Sequence, residues 1–393
     1  MIDKKLLEFC ETEIQRKTIE AVIKHGSSKK AATAMGKARQ TVDQAVSAVK
    51  KRAAGKGYAP DHDLTKPAAP GFGTKRISTL YGEDGEVKIQ WHIQEKERQH
   101  IGEMLKEFSQ GMAEELRGIY KKIKAPTKVL ADLMSVYILG DQHFGMYAWA
   151  EETNEEDWDT EKSDAMLDSA IDRLVAMSPD SETGFLLNVG DFFHSNNQQA
   201  ETAKGTKLDV DGRMGRTIRM SGHLFKRIIA RLLQKHKKVI VLNARGNHDS
   251  DSALFLNEML RMYYENEPRV EVMDNFAKLN YKVFGVNLIL SHHGDATTPQ
   301  RVYESATRNL RKEWGAAEYV FYWYGHIHHK IAQEIGGMIS ESWNVLPPPD
   351  AWHSGANYGS SRSMSCVVLD RHYGEVGRLK VGIKQINSDL QAP

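Results

Sequence analysis

Apolar residues follow two different rhythms along this chain. Over the first 57 residues they recur at helical spacing. Ile14, Ile19, Ala21, Val22 and Ile23 predict a helix from Glu11 to Lys24, closed by Gly26 in His25-Gly26-Ser27. Ser27 or Ser28 can cap a short second helix, Lys29 to Met35, which Gly36 ends. Val42, Ala45, Val46 and Val49 then stripe a third, from Gln40 to Arg52. After Lys128 the rhythm changes to short apolar strands near 134–139, 184–189, 238–243, 285–291 and 318–324, each ending in a polar turn. Helical patterns near 163–177, 214–236, 252–264 and 300–313 separate most of them. Such alternation predicts an α/β domain over residues 129–393, with ligands beyond the carboxyl ends of its strands.

Between these regions, residues 58–74 have the Gly and Pro content of a linker. Arg76 to Tyr81 and Val87 to Trp91 alternate around Gly82-Glu83-Asp84-Gly85, a hairpin signal, and helical spacing resumes over 94–123. Residues 75–128 are therefore expected to be a hairpin-plus-helix connector between the two domains or a substrate platform.

The N-terminal helices resemble a helix-turn-helix, with Ala32 where two helices cross, Gly36 as the left-handed turn residue and Val42 as a core contact of the third helix. Charge sharpens this reading. The formal charge of +1 conceals 13 Lys or Arg against 6 Asp or Glu in residues 1–57, and 40 against 46 in the remainder. A basic head predicts a polyanionic partner, so 1–57 is expected to bind DNA; a plain helical bundle that packs or forms a homodimer is the alternative.

Composition narrows the rest. With 40% hydrophobic and 27% charged residues and no apolar run near the roughly 20 residues of a membrane helix, no membrane span is expected. Met1-Ile2-Asp3-Lys4-Lys5 runs into a charged segment without a signal-peptide core, so the expected location is cytoplasmic. Cys10 and Cys366 form neither a disulfide framework nor a thiolate cage. Any metal has to be held by imidazole, carboxylate and amide groups.

Five turns carry such groups. Gly140-Asp141-Gln142-His143 and Gly325-His326-Ile327-His328 alternate two donors toward one side of an extended segment. Gly190-Asp191-Phe192-Phe193-His194 offers a carboxylate able to bridge two cations. Gly246-Asn247-His248-Asp249 offers an amide oxygen with a neighbouring imidazole, and Ser291-His292-His293-Gly294 a pair of imidazoles. The ordered set D-x-H, GD, GNHD, H and GHxH resembles the calcineurin-like metallophosphoesterase superfamily over roughly residues 132–385. The resemblance implies a four-layer α-β-β-α sandwich; the small all-α head, read from periodicity alone, precedes it. The resemblance also implies a dinuclear centre, with Asp141, His143 and His328 on one metal, Asn247, His292 and His326 on the other, and Asp191 bridging. His292 is preferred over its rival His293 by its spacing from Gly294.

Two cations suit the chemistry, because an anionic phosphodiester needs both an activated water and neutralised phosphoryl charge. Mixed nitrogen and oxygen ligation favours Mn²⁺, with Fe or Zn²⁺ also compatible. His248, next to a ligand position, is the candidate general acid; Asp249 either orients it or caps the helix that starts near Ser252. The form GDFFH resembles the nuclease subunit of double-strand-break repair complexes, which makes His194 a further catalytic candidate. Lys204 to Lys238 holds eleven Lys or Arg against Asp209 and Asp211, a basic flank suited to a phosphate backbone, although part of it is the exposed face of an amphipathic helix. Arg245 is a candidate phosphate contact. In the Pro- and Gly-rich segment Trp343 to Ser363, Trp352, His353 and Tyr358 can stack on a base or pack the loop down. The expected activity is a metal-dependent DNA nuclease, exo- or endonucleolytic. The alternative is a small-molecule or cyclic-nucleotide phosphodiesterase, or a phosphatase, whose head serves regulation or oligomerisation.

Overall fold

The computed structural model describes residues 3–60, 64–65, 72–82, 84, 86–96, 122–356 and 359–391. Most of the helical pattern expected over 94–123, and Tyr358, lie outside the described residues. The chain divides into two compact units, Met1–Phe108 and Ser109–Pro393.

In the first unit, a 3-10 helix (Lys4–Phe9) precedes α1 (Glu13–His25), α2 (Ser28–Met35) and α3 (Arg39–Gly55). Thr12 and Ser27 cap α1 and α2 by accepting from the amides of Gln15 and Lys30, and Gly26 and Gly36 end them at φ 72° and 64°. Ile19, Val22, Ala31, Ala32, Val42, Val46 and Val49 form the core. Leu6 and Phe9 join it from the 3-10 helix, too short to leave a periodic signal. Strands β1 (Phe72–Tyr81) and β2 (Val87–Lys96) pair antiparallel, with Leu80 opposite Ile89 and Ser78 opposite Trp91, and extend beyond the predicted hairpin. A β-carbon on Gly57, at φ 83°, would lie 2.6 Å from His92 and 2.8 Å from Thr74, so the hairpin packs on the end of α3.

The second unit is a sandwich. Its first sheet has the order β13-β12-β3-β4-β5-β6. These are β3 (Leu130–Leu139), β4 (Ser181–Asn188), β5 (Lys238–Asn243), β6 (Val270–Val272), β12 (Ser363–Asp370) and β13 (Gly374–Gly382). The second, β10-β11-β9-β8-β7, is built from β7 (Asn280–Phe284), β8 (Asn287–Ser291), β9 (Tyr319–Tyr324), β10 (Ala332–Ile335) and β11 (Met338–Ser342). Strands β3, β4, β5 and β6 run parallel, as do β8, β9 and β11.

Side-chain alternation sorts the layers. Met134, Val136 and Ile138 of β3 face Ile289, Phe321 and Trp323 of the second sheet, whereas Tyr137 and Leu139 face helices. Those helices are α5 (Thr160–Met177), α6 (Met214–Lys235) and α7 (Ser252–Tyr263), joined by α11 (Ile383–Gln391); the small α4 (Ala150–Thr153) precedes them. On the far side α8 (Pro299–Asn309) lays Val302 and Ala306 on Leu288, Leu290 and Tyr322. The predicted helix 300–313 breaks at Leu310 (φ −112°, ψ 42°) into α8 and α9 (Arg311–Ala316). A last short helix, α10 (Ala351–Gly355), follows β11. The architecture is helices, sheet, sheet, helices. Among the described residues no helix is long and apolar enough to cross a membrane.

Candidate metal centre

All five turns gather at one edge of the sandwich, because β3, β4 and β5 are neighbours running parallel in one sheet and β8 and β9 are neighbours running parallel in the other. The turns hold one another. His326 donates its amide to both oxygens of Asp141 (2.9 and 3.1 Å), the amide of His248 donates to Asp191 Oδ1 (2.8 Å), and that of His143 to the Asp191 carbonyl (3.0 Å).

Their backbone is strained. Among the described residues six non-glycines have left-handed φ, and four of them are His143 (45°), Asp191 (50°), His326 (71°) and His328 (57°). Such conformations cost about 1–3 kcal/mol each and persist only where the surroundings impose them. Glycines leave room for the carboxylates: a β-carbon on Gly246 would overlap the Asp191 carboxylate, and one on Gly325 would press on that of Asp141.

Three clusters of donor atoms result: Asp141, His143 and His328; Asp191, His293 and His326; and His143, His194 and His248. In the second, spacing from Gly294 favours His292, and the structure corrects this. His292 turns back on its own loop, where Nδ1 accepts the Gly294 amide (2.9 Å). His293 is fully buried instead, with Nε2 2.9 Å from Asp191 Oδ2 and Nδ1 3.6 Å from Asp141 Oδ1. A strand places successive side chains on opposite faces, so only one of the two imidazoles can enter.

The donors fit a cation. Asn247 Oδ1 is buried with no hydrogen-bond partner, and His293 Nε2, though close to Asp191, is not aligned to bond it. Burial holds His143 well below the ordinary imidazole range and keeps His194 and His328 at about 3, so these rings present lone pairs. His293 differs: burial opposes its charge, but Asp191 and Asp141 beside it push it up to about 10. Against the same burial, the neighbouring His293 holds Asp191 well below the usual carboxylate range.

Around the clusters, His248 Nδ1 donates to the His194 carbonyl (2.8 Å), which leaves Nε2 for the centre. The His194 ring stacks on it (5.4 Å, 26°) and meets His143 Nδ1 at 3.2 Å. Asp249 neither bonds His248 nor caps α7 with its side chain. It accepts the amides of Gly246 (2.9 Å) and Phe193 (3.2 Å), tying two turns together, and burial followed by Asp191 raises it to about 7. Arg245 also differs from expectation. Its guanidinium donates to the Ser250 carbonyl and hydroxyl and to the Phe276 carbonyl, bracing the turn, so it is not a free phosphate contact.

Six of the eleven basic residues of the flank are ion-paired, Lys207 with Glu201 and Lys238 with Glu271 among them. Arg227 pairs with Asp164 and Asp168, Arg231 with Asp168 and Asp172, Arg216 with Glu161 and Asp211, and Lys235 with Asp180. Lys204, Arg213, Arg219, Lys226 and Lys237 have no ion-pair partner among the described residues.

The sequence matches the calcineurin-like phosphoesterase family over residues 134–334, just over half of the chain. The chain belongs to this family. It is accordingly a metal-dependent phosphoester hydrolase. Among solved structures it is similar to Yfce, a phosphoesterase from E. coli (13% identity over 63% of this chain and 98% of that one, TM-score 0.32). It is also similar to an archaeal phosphodiesterase (15%, 63% and 100%, TM-score 0.32) and to Vps29 of Entamoeba histolytica complexed with Zn²⁺ (12%, 63% and 99%, TM-score 0.28). At these scores the likeness is remote. No curated protein matches the sequence.

Proposed function

We propose that this calcineurin-like phosphoesterase is a DNA nuclease of the cytoplasm, with a helix-turn-helix head over residues 1–57 that binds duplex DNA. Asp141, His143 and His328 would hold one divalent ion and Asn247, His293 and His326 the other, with the Asp191 carboxylate available to both; Mn²⁺ is the ion proposed, Fe or Zn²⁺ suiting the same donors. When bound, the ions activate water and neutralise charge on the phosphoryl oxygens. His248, oriented through Nδ1 by the His194 carbonyl, gives the leaving alkoxide a proton from Nε2. His194 keeps that ring in place by stacking on it. Asp249 acts one step further out, by holding the turns of Asp191 and Asn247 in register.

The observation that carries this reading is the His194–His248 pair beside His143, which sets an imidazole where it can protonate the alkoxide that leaves a phosphate ester. The head supports it: α3 buries Val42, Val46 and Val49 and exposes Arg39, Gln40, Thr41, Gln44, Ser47 and Lys51 along the opposite face. One observation favours the alternative of a small diester or phosphatase substrate, namely the ion pairs that neutralise α6. Incubation of the protein with linear DNA, with and without Mn²⁺, separates the two. Metal-dependent release of nucleotides or short fragments is expected, and hydrolysis confined to bis-nitrophenyl phosphate and cyclic nucleotides would sink the nuclease reading.

A further inference from the structure

Beside the centre, α10 carries one exposed indole, Trp352, and one half-buried imidazole, His353. Asp350 starts this helix by accepting the amide of His353 (2.8 Å) and also fixes its ring through Nδ1 (2.7 Å). The His353 ring lies over that of His328, at 5.0 Å and 28°, so α10 is seated directly on the metal centre. Trp352 stands perpendicular to His353 (4.8 Å, 89°) and is 68% exposed. On the other side Ser354 Oγ donates to the Thr153 carbonyl (3.0 Å) of α4, and Trp149, the residue that begins α4, is 48% exposed. Scattered surface aromatics are ordinary; two exposed indoles on packed elements at the mouth of a phosphoesterase site are not.

The rim carries charge of both signs: Glu151 and Glu152 are exposed on α4 beside Trp149, and the cations come from another segment. The amide of Ala203 donates to the Asn247 carbonyl (3.0 Å), which sets Lys204 beside the centre, and the amides of Tyr147 and Asp211 bond the Asp209 and Gly145 carbonyls, which brings the segment leading to Arg213 against the one leading to Trp149. Flat aromatic faces and cations next to phosphodiester chemistry match a base and its phosphate. In a duplex both faces of a base are already stacked, so the strand that fits is unpaired.

We propose that single-stranded DNA binds along this rim, its bases stacked on Trp352 and Trp149 and its phosphates followed by Lys204 and Arg213. This rests on the nuclease reading and names the form of DNA that the centre receives. A single stacked base contributes about 1–3 kcal/mol, so removing one indole is expected to weaken binding about tenfold.

The test uses the full chain and a fluorescent, phosphorothioate-linked oligothymidylate, read by anisotropy, with the same strand in a blunt duplex alongside. Trp352→Ala is expected to weaken single-strand binding about tenfold and duplex binding less than twofold, with Trp352→Phe restoring most of the loss. It should also lower kcat/KM on an ordinary oligonucleotide at least tenfold more than on bis-nitrophenyl phosphate. Unchanged single-strand affinity in Trp352→Ala, or equal losses on the oligonucleotide and the small diester, would overturn the proposal. Cleavage is a separate readout: wild-type protein that binds the strand through Trp352 yet leaves it uncut keeps this proposal and removes the nuclease reading.

Discussion

His236 is buried in the same unit as His143 and His194 of the metal centre, and they differ in everything else. His236 lies beneath the N-terminal ends of β3 and β4, where Tyr137 Oη (2.9 Å) and the Ser181 carbonyl (2.8 Å) satisfy both ring nitrogens. Near the carboxyl ends of the strands, His143 meets His328 and His194 with ring nitrogens 3.1 and 3.2 Å apart, and the backbone of His143 and His328 is left-handed. The first arrangement is complete within the protein. The second gathers ring nitrogens, carboxylates and the unpartnered Asn247 Oδ1 around common points, the arrangement a cation would use. Burial alone therefore does not mark a functional histidine; convergent donor atoms with local strain do.

The contrast breaks most sharply at the centre. Asp191→Asn or His293→Ala is expected to lower phosphodiester hydrolysis about 10³-fold and to reduce bound metal, whereas His292→Ala should keep both within about threefold. Metal content by elemental analysis with rates on bis-nitrophenyl phosphate checks this, and the reverse ranking of the two histidines would restore His292 as the ligand.

His236 predicts an effect on stability instead. Burial holds its pKa at about 4, below the ordinary 6.5 of an unfolded chain. The folded state thus binds the proton less readily. Its contribution is complete above pH 6.5 and is lost as pH falls toward 4, by about 2 kcal/mol at pH 5 and about 3 kcal/mol in full. Urea unfolding of wild type and His236→Gln at pH 7 and pH 5 measures it, and a pH slope identical in the two proteins would contradict the assignment.

A smaller effect sharpens the roles inside the centre. His248→Asn is expected to slow hydrolysis about 10²-fold with two metals still bound per chain, since its ring is held by a carbonyl rather than committed to the ligand set. Loss of metal in that variant would make His248 a ligand.

Much of this molecule was legible before folding. Periodicity placed α1, α2 and α3 and the five strands that carry the chemistry to within a few residues, because each has a clean apolar rhythm and a capping or turn residue at its end. The short or edge elements, β6, β10, α4 and α10 among them, were silent, being too brief for a rhythm to register. The ordered Asp, His and Asn turns identified the family's chemistry, since ligand types and their order are properties of the chain itself.

Which atoms actually meet was decided by tertiary structure. His292 and His293 differ by one position, and only the pleat of β8 against β9 sends one ring inward. Asp249 and Arg245 stand in the right turn, yet neighbouring backbone amides and carbonyls claim them. Arg227 and Arg231, two of the eleven cations between Lys204 and Lys238, read as part of a phosphate-binding flank until α5 brings Asp164, Asp168 and Asp172 against α6. The sequence alone determined the inventory of groups and the strand ends that deliver them. Pairing, burial and neutralisation depend on groups far apart in the chain, and those meet only when the sheets close.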